Sequence, residues 1–196
     1  GIAEADLGPA VLESYEGEHI LVTGPPRSGK STTLLALAAA ARAASDVSEP
    51  VTVLGLGSRR SPLVSADLDQ VVTDPAEAGK LTAAIELHEG PVLLLVDDAE
   101  RDDDSNRVLA ELLAKSPPNL RIAAAGRADD LRTLYTHWTK TLRRSRCGIL
   151  LQPNVDMDGD LLSVRIPRRP PVAMTVGRGY LCLNGAAALI QTALPQ

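Results

Sequence analysis

Gly24-Pro25-Pro26-Arg27-Ser28-Gly29-Lys30-Ser31 is the stretch on which the reading of this chain turns. It completes the pattern G-x-x-x-x-G-K-S, a loop whose glycines let the backbone curl around phosphate oxygens. The pattern needs a strand to deliver it and a helix to begin beneath it. Both are foreseen here, in the strand-like His19 to Thr23 and the helix-like Thr32 to Ala44. Pro25 and Pro26 have no N–H to offer, but they precede the positions that matter. Ser28, Gly29, Lys30, Ser31 and Thr32 keep theirs and can turn them toward an anion at the helix N-terminus. Lys30 is expected to reach the terminal phosphates and Ser31 to place its hydroxyl on magnesium. The predicted nucleotide-binding residues are thus Gly24, Pro25, Pro26, Arg27, Ser28, Gly29, Lys30, Ser31 and Thr32, with ATP and Mg2+ as ligands.

Outward from the loop, apolar runs alternate with helical spacing. Pro50 to Leu56 and Gln70 to Val72 read as strands, and Pro75 to His88 as a helix with Asp74 as its N-cap. Pro91 to Val96 is a continuous apolar run, the pattern of a strand covered on both faces. Ser105 to Lys115 reads as a helix, Leu120 to Ala125 as an interior strand, and Ala128 to Arg144 as another helix. This alternation predicts an α/β protein with a mostly parallel twisted sheet and helices on both faces. After Gly148 short apolar pieces alternate with Pro and Gly, at Ile149 to Leu151, Leu161 to Ile166, Tyr180 to Leu183 and Ala188 to Leu194. They predict a hairpin-rich C-terminal edge, with Asn184-Gly185 as a turn.

The strand Val92 to Val96 runs into Asp97-Asp98, an apolar run followed by acid as in a Walker B motif. Asp97 is expected beside Ser31 at the magnesium ion, and Asp98 in the place of a carboxylate that activates water. Asp98 is one methylene shorter than the usual Glu. Glu100, in the loop that follows, is the lesser alternative. Arg127, at the end of the next strand, is placed to sense a terminal phosphate, and Arg143, Arg144 and Arg146 could reach a neighbouring subunit's nucleotide.

Composition narrows the rest. The 196 residues suffice for one sizeable core, and 44% are hydrophobic with no Phe, so that core must be aliphatic. A net charge of −5 gives no general footprint for nucleic acid. Cys147 and Cys182 match no metal spacing and read as buried, reduced thiols, as in a reducing cytoplasm. No apolar run approaches a membrane span. Asp156 to Asp160 imitates a calcium loop, but its glycine falls early and Pro167 stands where a Glu is required, so a polar turn is expected. The chain opens on Gly1 rather than Met, and the expectation is one domain, residues 1–196, cut from a longer polypeptide.

With these residues in view, the whole length resembles a module of the FtsK/SpoIIIE superfamily of P-loop ATPases. It is most similar to the C-terminal modules of EccC/EssC ATPases of type VII secretion. The likeness rests on GPPRSGKST, VLLLVDDAE, AAGRADDLR with the segment that follows, DGDLL and GRGYL. It implies a RecA-like fold, ATP hydrolysis, a cytoplasmic module joined to a membrane-anchored parent, and contact with other modules of the same chain or ring. It also implies a secreted protein as substrate. Asp-Asp where leading motor modules carry Asp-Glu implies slow or regulatory hydrolysis. A DNA translocase module and a non-hydrolysing module glued by bound ATP are the alternatives. Absence of a DNA-reading extension argues against the former.

Overall fold

A computed structural model describes residues 1–13 and 15–195. Its centre is a run of parallel strands: β2 (Ile20–Thr23), β3 (Thr52–Leu56), β4 (Gln70–Val72), β5 (Val92–Val96), β6 (Leu120–Gly126) and β7 (Gly148–Leu151). Beyond β7 the sheet turns antiparallel through β8 (Arg178–Leu183), β9 (Ala186–Gln191) and the short β1 (Ile2–Ala3). The order across this nine-stranded sheet is β1-β9-β8-β7-β2-β6-β5-β3-β4. The architecture is mixed α/β, with the hairpin edge expected of the C-terminal third. Asn184 and Gly185 turn that hairpin with φ of 49° and 86°, both left-handed, as a two-residue type I′ turn demands. The pairing of β1 with β9 has no signal in so short a strand.

The alternation of side chains along each strand divides the core in two. On one face Ile20, Val22, Leu93, Leu95, Ala123 and Ala125 pack with Leu34 and Ala38 of α1 (Lys30–Ala44). On the other, Leu21, Leu94, Ile122 and Ala124 meet α2 (Gly79–Glu86), α3 (Val108–Lys115), α4 (Ala128–Thr133) and α5 (Thr139–Leu142). Both faces are covered, so β2 and β5 are buried throughout, which is why they read as unbroken apolar runs. With no Phe, the volume is filled by Leu and Ile around a single buried Tyr180.

Three elements depart most from expectation, while α3 only starts later, at Val108, and β9 is shifted to Ala186–Gln191. The helix foreseen from Ala128 to Arg144 is broken into α4, α5 and a 3-10 turn at Arg143–Ser145. The break lets His137 Nε2 and Trp138 Nε1 both reach the carbonyl of Asp102, at 2.7 and 2.9 Å. Arg143 closes it by donating to the carbonyl of Leu131 at the end of α4, which also accepts from Leu134 N. Leu161 to Ile166, foreseen as a strand, instead follows a 3-10 turn at Asp158–Leu161. Gly159 packs so tightly there that a Cβ would lie 2.3 Å from Val164 O, and its own carbonyl accepts from Leu162 N and Val164 N. Buried apolar character survives in this segment without strand pairing.

The helix foreseen from Pro75 begins as a 3-10 turn capped by Asp74 at 3.0 Å, and becomes α2 only from Gly79. Asp104 caps the next helix, accepting from Leu109 N and Ala110 N at 3.0 and 2.8 Å. Cys147 and Cys182 are buried free thiols, each pushed up to about 12 by burial.

Candidate functional site

Parallel strands present their carboxyl ends to a common edge, and register sets what gathers there. Thr23, last in β2, pairs with Gly126, last in β6; Val96, last in β5, pairs with Leu56, last in β3. The residues that follow each of them, Gly24, Arg127, Asp97 and Gly57, therefore emerge side by side. Strand β6 lies between the strand that delivers the loop and the strand that delivers the acids.

The loop is shaped by sterics that only glycine satisfies. A Cβ on Gly24 would lie 2.6 Å from Leu151 O and 2.6 Å from Ser28 Oγ. Gly29 is the N-cap of α1 at φ 101°, a left-handed conformation that strains any L side chain. Behind it, α1 has no side-chain cap and no acidic residue in its first turn. The N–H groups of Lys30, Ser31 and Thr32 have no partner within a helix that starts there, and the helix dipole adds positive character. Ser28 departs from expectation: its N–H turns inward to Pro25 O at 3.3 Å, and its side chain is fully buried. Pro25, Pro26 and Arg27 form the exposed rim. Lys30 Nζ donates to Gly24 O at 3.1 Å and Pro25 O at 2.8 Å, so the ammonium lies along the loop. Burial lowers the Lys30 pKa, a shift that the nearby Glu100 carboxylate partly opposes.

Ser31 and Asp97 meet. The hydroxyl of Ser31 lies 3.0 Å from each oxygen of the buried Asp97 carboxylate. A second hydroxyl, from Ser61, donates to Asp97 Oδ2 at 2.6 Å. Ser61 also accepts from Leu63 N at 3.2 Å, capping the 3-10 turn Pro62–Ser65, and a Cβ on Gly57 would crowd it at 3.1 Å. Sequence reasoning passed over Ser61. Its one signal is Ser before Pro, the mark of a turn cap rather than of a site. Ser31 and Asp97 supply a hydroxyl and a carboxylate, the hard oxygen donors that suit magnesium when phosphates and water complete the shell. Among the described residues there is no cluster of three or more His, Cys, Asp or Glu that could hold a metal without such help.

The remaining foreseen residues divide. Asp98 adopts a left-handed backbone at φ 54° and, together with Asp97, lines a small pocket of about 150 Å³ with Gly57, Ser58, Thr73 and Pro75. Its carboxylate lies 4.0 Å from Arg101 Nη1. Arg127 is held by acids: its N–H donates to Glu100 Oε2 at 3.2 Å, its Nε lies 3.7 Å from Glu100 Oε1, and its Nη1 3.9 Å from Asp130. Arg143 is committed to the α4–α5 junction, while Arg144 and Arg146 are exposed. The acidic segment read as a polar turn is more structural than that: Asp158 is buried and ion-paired to Arg132, and accepts from Asn154 N at 2.8 Å.

Above the loop, a second segment closes in. Gly177 N donates to Ser28 O at 2.9 Å, and Gln191 Nε2 and Gln152 Nε2 tie down the carbonyls of Val176 and Met174 at 3.1 and 3.0 Å. The hairpin edge thus braces the loop from the side of β7 to β9.

A strand, a glycine-bent loop, a helix N-terminus and a buried acid one strand away are consistent with a P-loop NTPase fold. Solved structures bear out the resemblance to type VII secretion ATPases at the level of fold. The cytoplasmic domain of the EccC type VII secretion ATPase from Thermomonospora curvata superposes with a TM-score of 0.74 at 24% identity, covering 100% of this chain and 26% of that one. Two structures of EssC align over 99% of this chain. One holds ATPases 2 and 3 from Geobacillus thermodenitrificans, with a TM-score of 0.73, 18% identity and 40% of its length covered. The other is a cytoplasmic domain of EssC, with a TM-score of 0.75, 16% identity and 43% of its length covered. The chain therefore spans less than half the length of each. The sequence matches no protein-family model and no curated protein. No helix among the described residues is long and apolar enough to cross a membrane.

Proposed function

We propose that this chain is an ATP-binding module of a protein-secretion motor, RecA-like in its core and forming one domain of a longer polypeptide. The observation that carries the reading is the Ser31–Asp97 contact at 3.0 Å, which joins two motifs 66 residues apart into one site. In this reading the free N–H groups of Lys30, Ser31 and Thr32 hold phosphate oxygens, and Lys30 swings from the loop carbonyls to the terminal phosphates. Ser31 and Asp97 would hold magnesium, and Ser61 fixes the carboxylate orientation. Magnesium would neutralise charge on the phosphates as the bond to the γ-phosphoryl group breaks. Arg127 stands at the phosphate end of the site.

Likeness to EccC and EssC domains supports neighbouring ATPase modules as partners and a cytoplasmic position; a secreted protein as substrate and a membrane-anchored parent follow from the family resemblance alone. Asp98, foreseen as the water-activating residue, is one methylene shorter than the usual Glu and lies 4.0 Å from Arg101 Nη1, and this favours a slow or regulatory module.

The deciding experiment is a calorimetric titration of ATP with magnesium into wild type and Lys30→Ala. Binding lost in the variant is expected, because phosphate contact and charge both vanish; unchanged affinity refutes the site. Turnover stimulated by an export substrate and not by duplex DNA supports secretion. The converse selects a DNA translocase.

A further inference from the structure

Glu100, the lesser candidate in the sequence, packs against the end of β6, next to the strand that delivers the loop. The 3-10 turn Ala99–Arg101 carries it back against the end of β6, where its side chain is only 4% exposed. One carboxylate oxygen, Oε2, accepts from Arg127 N and sits where a Cβ on Gly126 would approach to 2.8 Å. Gly126 pairs with Thr23, the residue before the phosphate loop. The other oxygen, Oε1, is buried and makes no hydrogen bond, with Arg127 Nε at 3.7 Å. A buried carboxylate oxygen without a donor is costly unless a ligand or water completes it. Asp98, by contrast, keeps 35% of its side chain exposed and pairs with Arg101 on the β3–β4 side.

We infer that Glu100, and not Asp98, is the carboxylate that faces the γ-phosphate and accepts the proton of the attacking water, with Arg127 as its positioning residue. The inference rests on the ATP-binding reading above. In the step it serves, the water oxygen forms a bond to the γ-phosphorus while the bond to the β–γ bridging oxygen breaks. ADP leaves with that electron pair. The water proton passes to Glu100 Oε1 and then to the released phosphate. A spacing of three residues from Asp97 replaces the usual adjacent pair, because the chain leaves β5 through a left-handed Asp98 and re-enters the site one turn later.

The test compares Glu100→Gln with Asp98→Asn in two measurements: ATP turnover, and the ratio of affinities for a non-hydrolysable ATP analogue and ADP by calorimetry. Glu100→Gln should lower kcat on the order of 10²–10⁴-fold, the range of general-base contributions. It should also raise the analogue-to-ADP affinity ratio, because a negative charge facing the γ-phosphate is removed. Asp98→Asn should leave both near wild type. Glu100→Asp keeps the charge but withdraws it by one methylene; it should lose turnover with the affinity ratio unchanged, and it serves if Glu100→Gln folds poorly. Equal effects of the two amide variants, or a larger effect of Asp98→Asn, overturn the assignment. Wild type that binds ATP and shows no single turnover also overturns it while leaving the binding site standing. Wild type that fails to bind ATP instead removes the reading beneath it.

Discussion

His19 immediately precedes the strand that delivers the phosphate loop, and it ties stability there to pH. The side chain is buried beside β6, where Nδ1 accepts from Ile122 N at 3.2 Å, so the neutral ring is the form the fold uses. Burial first, and the Arg121 cation second, lower its pKa from 6.5 to about 4. Above pH 6.5 the ring is neutral whether the chain is folded or not. As pH falls from 6.5 toward 4, the unfolded chain takes up a proton that the folded chain refuses, and stability is lost across that window. At about 1.36 kcal/mol per pH unit, the full loss approaches ~3 kcal/mol, with roughly 2 kcal/mol already gone near pH 5. Replacing His19 by Asn leaves an oxygen to accept from Ile122 N and nothing to protonate there.

The assay is urea unfolding of wild type and His19→Asn at intervals from about pH 7.5 to about pH 4.5. His137, Asp102 and Asp158 also have shifted pKa values, but they are common to both proteins and drop out of the difference. The two stability curves should converge as pH falls, with the variant losing less. Parallel curves would refute the argument, as would an NMR titration of the His19 ring near its ordinary value.

Ser61→Ala should weaken magnesium-dependent ATP binding while sparing the metal-free affinity, because Asp97 loses a 2.6 Å hydroxyl donor; calorimetry with and without magnesium separates the two. A loss of about 1–3 kcal/mol is the scale of removing a hydrogen bond to a charged group. Asp158→Ala should destabilise by about 1–3 kcal/mol, since it leaves the Asn154 N–H unpaired and reduces Arg132 to its exposed partner Asp129; thermal unfolding reads this as a fall in Tm.

Much of the fold was legible because its signals are local. A buried parallel strand must be apolar throughout, so Val92 to Val96 announced itself, and a left-handed turn must be Asn-Gly or its like. The broken helix at Leu134 to His137 was not legible. Its cause is the carbonyl of Asp102, distant in sequence, which draws in both His137 and Trp138. For the same reason the segment after Asp158 looks like a strand: its side chains are as buried as a strand's, and periodicity reports burial rather than pairing.

The site divides along the same line. The loop from Gly24 to Ser31 is decided by sequence alone, because its conformation depends on glycines at set positions and its chemistry on the two residues that follow them. Asp97 at the end of a buried run is nearly as secure. Tertiary structure alone decided that Ser31 touches Asp97, that Ser61 supports it, and that Glu100 is buried against the end of β6. Those outcomes depend on strand order and on the hand of one turn. Sequence spacing places a carboxylate along the chain; the backbone's path after β5 chooses the side of the sheet edge on which it stands.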